Sequence, residues 1–309
     1  MRTIAVIPSR YRSKRLPGKP LAEIHGKTMI QRVYERVTRA SRVDEVLVAT
    51  DDERIEHVVV GFGGKAVMTS STHACGSDRI AEAVRDLDFD LVVNVQGDLP
   101  LLSPADIDAA VGLAERSPGA IATLQHRISD RAMVLNPNVV KVTTDLRGFA
   151  LYFSRSPIPW LGPEGSPLPP DVYFKHIGLY VYPRERLLSL SALEPTALEL
   201  QEGLEQLRAM AHGVPIRLED TEEEPVTVDT EADLERAREI IGERETLQTA
   251  GPGGPHPPRA EPSAVAQRQA RPAFAELRRV RRSPEGGGGS DGRRGWGPRG
   301  TELKTEGTN

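Results

Sequence analysis

The chain has 309 residues, 38% of them hydrophobic, which is enough to bury a core in one or two compact units of enzyme size. Charged or polar residues interrupt every hydrophobic run before it reaches the roughly 18 apolar residues of a membrane span, so we expect no membrane partner. Cys75 is the only cysteine in the sequence, which excludes an intramolecular disulfide and a cysteine zinc cluster.

The formal net charge of -4 conceals an asymmetry between the two ends of the chain. From residue 247 onward there are 11 Lys and Arg against 6 Asp and Glu, which leaves about -9 for the part before it. This acidic body argues against nucleic acid as a partner, because duplex binding generally needs a basic face. The N-terminal MRTIAVIPSR has no apolar signal segment and no small-residue cleavage site, so we expect a cytoplasmic protein.

The first part of the chain alternates short apolar runs with amphipathic patterns, which predicts buried parallel strands separated by helices. The strands are expected at Ile4–Ile7, Val46–Ala49, Lys65–Met68 and Leu91–Val95, and the helices at Met29–Ala40, Arg54–Phe62 and Asp78–Leu87. This order predicts an α/β fold with an open, mostly parallel sheet and helices on both faces. Ligands of such sheets bind at the carboxyl ends of the strands.

From about residue 136 the pattern becomes mixed and predicts a smaller α+β part. Strands are expected at Val139–Thr143, His176–Val181 and Ile216–Leu218, with helices at Leu198–Ala211 and Glu231–Glu245. His176 and Tyr180 would alternate onto one face of their strand as half-core residues. Glu205 and Arg208 have the spacing of a pair on a helix surface.

The composition changes after Thr246 to segments rich in Pro and Gly that contain few apolar residues. Such a segment cannot bury enough surface to offset its ordering entropy. The chain is therefore divided into a domain at residues 1–246 and a disordered tail at residues 247–309. The basic run RRVRR at residues 278–282 leaves open that the tail is an arm for an anionic surface.

A loop after the first strand holds five cations within ten residues: Arg10, Arg12, Lys14, Arg15 and Lys19. Arg forks two hydrogen bonds onto phosphate oxygens and Lys supplies a compact charge, so the loop indicates an anion site. It matches neither the P-loop nor the G-x-G-x-x-G pattern, which argues against both of those nucleotide folds. On charge alone, a solvated basic loop explains the cluster equally well.

Polar residues also follow the later strands. Ser77 and Asp78 could cap the next helix, and Ser103, Pro104 and Asp106 read as a helix N-terminus. Asp98 ends the fourth strand in VNVQGDLP, where a carboxylate can bind Mg²⁺, an ion that takes few protein ligands. A solvated turn aspartate is the alternative explanation.

These motifs resemble those of a known family. IPSRYRSKRLPGKPL resembles I-P-A-R-x-x-S-x-R-L-P-G-K-P/N-L, the signature of the CMP-sugar-acid cytidylyltransferases. HACGSDRIAE, VNVQGDLP, NPNVVKV and ALYFSRSPIP resemble the strings of the 3-deoxy-manno-octulosonate (Kdo) cytidylyltransferase family, and HIGLY and LEQLR favour Kdo over sialic acid. The resemblance covers about residues 3–241. It implies a nucleotide-binding sheet at residues 1–135, mainly for CTP, and a part for the sugar acid and dimerisation at residues 136–246.

The family resemblance also implies an activity. It is the transfer of CMP from CTP to the anomeric hydroxyl of Kdo, releasing pyrophosphate, by a Mg²⁺-dependent homodimer that serves lipopolysaccharide synthesis. Arg10, Arg15 and Lys19 would bind the phosphates beside Gln96, and Asp98 and Asp229 would hold the metal; Lys19, Asp98, Asp229 and Arg15 would be catalytic. The residues expected to bind the sugar acid are Arg79, Arg155, His176, Tyr180, Glu205 and Gln206.

Beyond the first motif, the sequence departs from the family pattern at three positions. Cys75 and Ser77 stand where the family commonly has Ser and Thr. Leu99 replaces a glutamate usual after the metal aspartate and removes a negative charge there, which leaves 8-amino-Kdo or sialic acid open as the substrate. A catalytically inactive nucleotide-binding or sugar-binding regulator is a further alternative. Retention of Arg10, Lys19, Asp98 and Asp229 together argues against it.

Overall fold

The computed structural model describes residues 1–12, 15–73, 75–163 and 165–249. The strands are β1 Thr3–Ser9, β2 Glu23–Ile24, β3 Lys27–Thr28, β4 Glu45–Thr50, β5 Ala66–Met68, β6 Leu91–Val95, β7 Ile121–Arg127, β8 Lys141–Thr144, β9 Ala150–Ser154, β10 Phe174–Pro183 and β11 Ile216–Asp220. The helices are α1 Met29–Val37, α2 Glu53–Gly61, α3 Gly76–Val84, α4 Pro104–Glu115, α5 Arg131–Leu135, α6 Arg184–Ser191, α7 Ala197–Glu202, α8 Gln206–Ala211 and α9 Glu231–Thr249.

The central sheet runs in the order β11-β7-β10-β6-β1-β4-β5. Its strands are parallel except β10, which is antiparallel to both of its neighbours, β6 and β7. The hairpin of β8 and β9 extends the sheet beside β10 and forms its mixed part. The predicted open, mostly parallel sheet is confirmed.

The strand order places a crevice between β1 and β6. From β1 the chain moves outward to β4 and β5, and it then returns to β6 on the other side of β1. In open α/β sheets a ligand binds where the strand order reverses in this way, at the carboxyl ends of the strands. The loops after Ser9 and after Val95 both begin at this point.

Two apolar layers cover the sheet, because successive side chains of a strand point to opposite faces. On β1, Ala5 and Ile7 pack in one layer with residues of α1, α4 and α9, whereas Ile4 and Val6 pack in the other with residues of α3, α6 and α8. All four side chains are fully buried. The predicted helices on both faces are therefore present. No helix in the described residues is long and apolar enough to cross a membrane.

Two local predictions differ from the structure, and a third, the helix start at Ser103, is confirmed with different side-chain contacts. The helix predicted over Leu198–Ala211 is wrong as a single helix: α7 ends before Gly203, whose backbone φ of 62° is left-handed, and α8 starts at Gln206. Strand β8 starts at Lys141, two residues later than predicted, and β7 and β9 were not predicted as strands. Ser103 is the N-cap of α4 but makes no side-chain cap bond, and Asp106 accepts a hydrogen bond from Thr221 at 2.6 Å instead.

The last helix runs three residues beyond the predicted domain boundary. Helix α9 continues to Thr249, with Ile241 buried in the core and Glu245 paired with Arg32 at 2.5 Å. Residues 250–309, with the basic run at 278–282, lie outside the described residues. The disordered tail and the division of the domain into two halves therefore stay predictions.

Candidate active site

A cleft of about 720 Å³ opens at the carboxyl ends of β1 and β6. We call it the strand-end cleft. Four cationic side chains face two carboxylates in it, so its lining has an excess of positive charge. Its lining residues are Pro8, Ser9, Arg10, Arg12, Arg15, Lys19, Pro20, Gln96, Gly97, Asp98 and Asp229.

The basic loop after β1 folds back on itself before it reaches Lys19. The Gly18 N–H donates to the Tyr11 carbonyl at 3.1 Å, and Gly18 has a φ of 72°, which favours glycine. A Cβ at Gly18 would also lie 3.2 Å from the Tyr11 hydroxyl. A single 3-10 turn, Lys19–Leu21, follows at once. Glycine at this position therefore sets where the Lys19 side chain enters the cleft.

Lys19 joins two carboxylates that are distant in the sequence. Its Nζ donates to Asp98 Oδ2 at 2.8 Å, to Asp229 Oδ1 at 3.2 Å and to the Val228 carbonyl at 2.9 Å. Arg15 contacts the same Asp229 oxygen at 3.0 Å. Because one ammonium contacts both carboxylates, their oxygens lie within two hydrogen-bond lengths of each other. All four residues predicted to be catalytic are therefore brought together.

Backbone contacts hold the two carboxylates in place. The Val228 N–H donates to the Asp98 carbonyl at 3.0 Å, which ties the loop after β6 to the segment before α9. Asp233 accepts from the N–H groups of Asp229 and Thr230 at 3.1 and 2.9 Å. Burial alone would raise the pKa of Asp233, but the hydrogen bonds from Thr230 and Asp229 lower it. The start of α9 thus orients Asp229 toward the cleft.

The donor atoms of Asp98 and Asp229 fit a hard divalent cation. No group of three or more His, Cys, Asp and Glu in the described ranges could hold a metal, so the protein alone forms no closed site there. Mg²⁺ needs no closed site, since it commonly binds one or two carboxylates and completes its shell with water and substrate phosphates. Two carboxylates beside a cationic cleft are the arrangement that such a shared site requires.

The other residues of the motifs after β1 and β6 have separate roles. Gln96 lines the cleft and donates from Nε2 to Asn94 Oδ1 at 3.0 Å. Leu99 is 3% exposed and packs in the core, so it anchors the Asp98 loop and does not line the cleft. Ser9 was missed by the sequence analysis: its buried Oγ has no hydrogen-bond partner among the described residues. The sequence did carry a signal that could have identified Ser9: it precedes Arg10 at the position where the family signature has alanine.

Glu205 and Gln206 lie in a second, smaller recess, which we call the Glu205 recess; Cys75, Ser77 and Tyr182 also line it. Glu205 accepts from the Ser77 hydroxyl at 2.8 Å and from its N–H at 3.4 Å. The cap predicted at Ser77 is therefore wrong. Gln206 is buried, and its Nε2 has no partner in the described part of the chain. Burial raises the pKa of the Cys75 thiol, with the Glu205 charge adding to it, so the thiol stays protonated.

The predicted pair of Glu205 and Arg208 is also wrong. Arg208 donates from Nε and from its terminal nitrogen to the Glu199 carboxylate at 2.9 and 2.6 Å. Both of these side chains are buried, so their ion pair joins α7 to α8 in the interior. Glu205 is left free of Arg208 and contacts Ser77 instead.

His176 and Tyr180, two further residues predicted to bind the sugar acid, both lie on β10. His176 is 8% exposed, its Nε2 lies 3.0 Å from Thr123 Oγ1, and its ring packs against Phe153 and Tyr180 at 5.0 and 5.1 Å between centroids. Burial lowers the pKa of His176 to about 3 and raises the pKa of Tyr180. Both side chains are therefore neutral near pH 7. They have the half-core character expected from their spacing, and a contact with the sugar acid stays a prediction.

The guanidinium groups of Arg79 and Arg155 both bind protein groups. Buried Arg79 donates to Thr69 Oγ1 at 2.6 Å and to Asp51 Oδ2 at 3.0 Å. Arg155 donates from Nε to the Glu202 carbonyl at 2.8 Å. Neither residue lines the strand-end cleft. The geometry shows how each supports its surroundings, and their predicted contact with substrate remains untested.

Comparisons with known proteins agree with this geometry. The family model described as Cytidylyltransferase matches residues 4–220. The 3-deoxy-manno-octulosonate cytidylyltransferase of Geotalea daltonii is 50% identical over 252 residues, which are 79% of this chain and 100% of that protein. The protein of the same name from Syntrophotalea carbinolica is 51% identical over 76% of this chain and 97% of its own length. A solved CMP:2-keto-3-deoxy-manno-octonic acid synthetase in complex with CTP superposes with a TM-score of 0.74 and 42% identity, covering 79% of this chain and 100% of that one.

The neutral, buried His176 should make stability depend on pH. Its pKa is lower in the folded chain than the ordinary value of 6.5, so protons bind the unfolded state first and stability falls as pH drops from about 6.5 toward 3. We expect His176→Phe, which keeps a ring in the stack, to lose about 2 kcal/mol less than the wild type between pH 7 and pH 5. Urea unfolding at both pH values measures this. Equal losses in the two proteins would show that His176 does not titrate as its burial implies.

Proposed function

The chain belongs to the cytidylyltransferase family, and we propose that it transfers CMP from CTP to the anomeric hydroxyl of Kdo. One observation carries the proposal: Lys19 joins Asp98 and Asp229 in a cleft lined with three arginines. This is the charge pattern that a nucleoside triphosphate requires. Curated relatives with half of their residues identical, matched over their whole length, carry the name of this activity.

The reaction is a nucleotidyl transfer at the α-phosphorus. The anomeric hydroxyl of Kdo loses its proton to solvent as its oxygen forms the new O–P bond. The bond from the α-phosphorus to the oxygen that bridges to the β-phosphate breaks, and pyrophosphate leaves with the electron pair. Two anions must approach each other, so the protein contributes mainly position and positive charge. Arg10, Arg15 and Lys19 would neutralise the triphosphate, with Lys19 nearest the α-phosphate and the leaving group. No histidine lines the strand-end cleft within the described residues, so we assign no histidine as general base.

We also propose that Asp98 and Asp229 hold Mg²⁺ during turnover. The ion would supply charge neutralisation at the phosphates and would lower the pKa of the attacking hydroxyl. Lys19 contacts both carboxylates, so it keeps their mutual repulsion low and holds the pair together. Asp233 fixes the backbone at Asp229.

The assembly and setting of the enzyme are further proposals that rest on the family resemblance. We propose a cytoplasmic homodimer that serves lipopolysaccharide synthesis, since Kdo is the substrate in the names of the relatives. Two exposed leucines, Leu146 and Leu151, lie on and beside the β8–β9 hairpin, where an apolar contact between subunits would cover them. Sedimentation of the full chain measures the subunit number.

The substrate choice is tested by pyrophosphate release in a panel of CTP, UTP and ATP against Kdo, 8-amino-Kdo and sialic acid. We expect CTP with Kdo to give the highest kcat/KM, because relatives matched over their full length act on this pair by name. A higher kcat/KM for 8-amino-Kdo or sialic acid would keep the reaction and replace the sugar. If no pair of substrates released pyrophosphate, the result would instead support the alternative of a catalytically inactive nucleotide-binding or sugar-binding regulator.

The metal assignment is tested at the two carboxylates. Chelation with EDTA should abolish turnover, and added Mg²⁺ should restore it. Asp98→Ala and Asp229→Ala should each reduce kcat about a hundredfold, since loss of one electrostatic stabiliser commonly has this effect. The exposed Asp86 offers the matched control, and Asp86→Ala should keep the wild-type rate. If both cleft variants kept more than about a tenth of kcat, the metal would not be held here.

A further inference from the structure

The turn that carries Glu205 and Gln206 is anchored by a residue outside the recess. Glu202 ends α7, Gly203 follows in the left-handed conformation, and α8 begins at Gln206. The turn is therefore three residues long, at residues 203–205, and its position decides where both recess residues lie. Ser77 holds it on one side through Glu205.

Glu202 holds the turn where it begins. Its carboxylate accepts from the Ser154 hydroxyl at 2.6 Å and from the Arg155 N–H at 2.8 Å. Its carbonyl accepts from Arg155 Nε at 2.8 Å. Each of the three bonds has a charged partner, either the Glu202 carboxylate or the Arg155 guanidinium, and such hydrogen bonds are stronger than neutral ones. Arg155, whose contact with substrate stays a prediction, thus holds the end of α7.

Lys141 fixes the strand on which this anchor depends. Strand β9 is an edge strand whose only ladder partner in the described residues is β8, with Lys141 opposite Ser154. Lys141 is fully buried, and its Nζ donates to the carbonyls of Asn136 at 2.9 Å, Val139 at 2.5 Å and Arg155. One ammonium thus joins the loop before β8 to the end of β9. This explains why a charged residue is tolerated in the interior.

We propose that Glu202 is a positioning residue for the sugar-acid site: held by Ser154 and Arg155, it places the turn that presents Glu205 and Gln206. The inference rests on the proposed function, because it takes these two residues to contact the sugar acid. Glu202 acts through the turn and touches no reacting atom. The helices themselves are joined separately by the Glu199–Arg208 ion pair, so loss of Glu202 should move the turn and leave the helix pair packed.

The sign of the effect separates positioning from charge. Kdo is an anion, so removal of a nearby carboxylate relieves a Coulomb repulsion. This effect alone would lower the KM for Kdo. Misplacement of Glu205 and Gln206 has the opposite sign, because sugar hydroxyls then lose their partners. A raised KM for Kdo in a variant without the Glu202 charge therefore reports the position of the turn.

The test is steady-state pyrophosphate release by the full chain with CTP and Kdo. We expect Glu202→Ala to raise the KM for Kdo about tenfold and the KM for CTP less than about twofold. Glu202→Gln, which keeps the shape and one acceptor oxygen, should give an intermediate KM and reports on the same point if the alanine variant unfolds. The exposed neighbour Gln201 provides the matched control, and Gln201→Ala should keep both wild-type KM values.

A mutant cycle completes the test. If Glu202 acts through the turn, adding Glu202→Ala to a variant that already lacks both side chains the turn presents, Glu205→Ala with Gln206→Ala, should raise the KM for Kdo no more than about twofold. Additive effects, or a wild-type KM for Kdo in both Glu202 variants, would overturn the positioning role. Absence of turnover with Kdo in the wild type would instead overturn the proposed function, and the inference with it.

Discussion

The ammonium of Lys19 is the contact on which the strand-end cleft depends. Asp98 and Asp229 come from distant parts of the chain, and two carboxylates this close would repel each other without a cation between them. The left-handed turn at Gly18 brings the ammonium in, and the Val228 N–H fixes the Asp98 loop. Three separate elements therefore meet at one point, and that point lies where the strand order of the sheet reverses.

The antiparallel strand β10 connects the strand-end cleft to the rest of the sheet. It pairs with β6, which leads to Gln96 and Asp98, and with β7 on its other edge. Tyr180 lies opposite Asn94, which accepts the hydrogen bond from Gln96. The strand that carries His176 and Tyr180 is therefore hydrogen-bonded directly to the strand that leads into the strand-end cleft. Because burial keeps His176 neutral near pH 7, its stack with Phe153 and Tyr180 adds no charge to this strand.

Residues that act through local pattern could be predicted from the sequence. The apolar run Leu91–Val95 coincides with β6, and the basic loop, Asp98 and Asp229 meet in one cleft as the motifs implied. Contacts that depend on distant partners could not be predicted in the same way. The hydroxyl of Ser77 looked like a helix cap because its real partner, Glu205, is 128 positions away. The contact of Arg155 with the Glu202 carbonyl, 47 positions away, likewise has no local signal in the sequence.

The central claim is that Lys19 organises the strand-end cleft for a nucleoside triphosphate with its metal. The most direct measurement is calorimetric titration of CTP, with Mg²⁺ and without Kdo, into the full-length wild type and into the Lys19→Met variant. Methionine keeps the length of the lysine side-chain stem and removes only the ammonium. We predict at least about tenfold weaker binding to the variant, since hydrogen bonds to charged groups contribute about 1.5–3 kcal/mol. Equal affinity of both proteins for CTP would contradict the account.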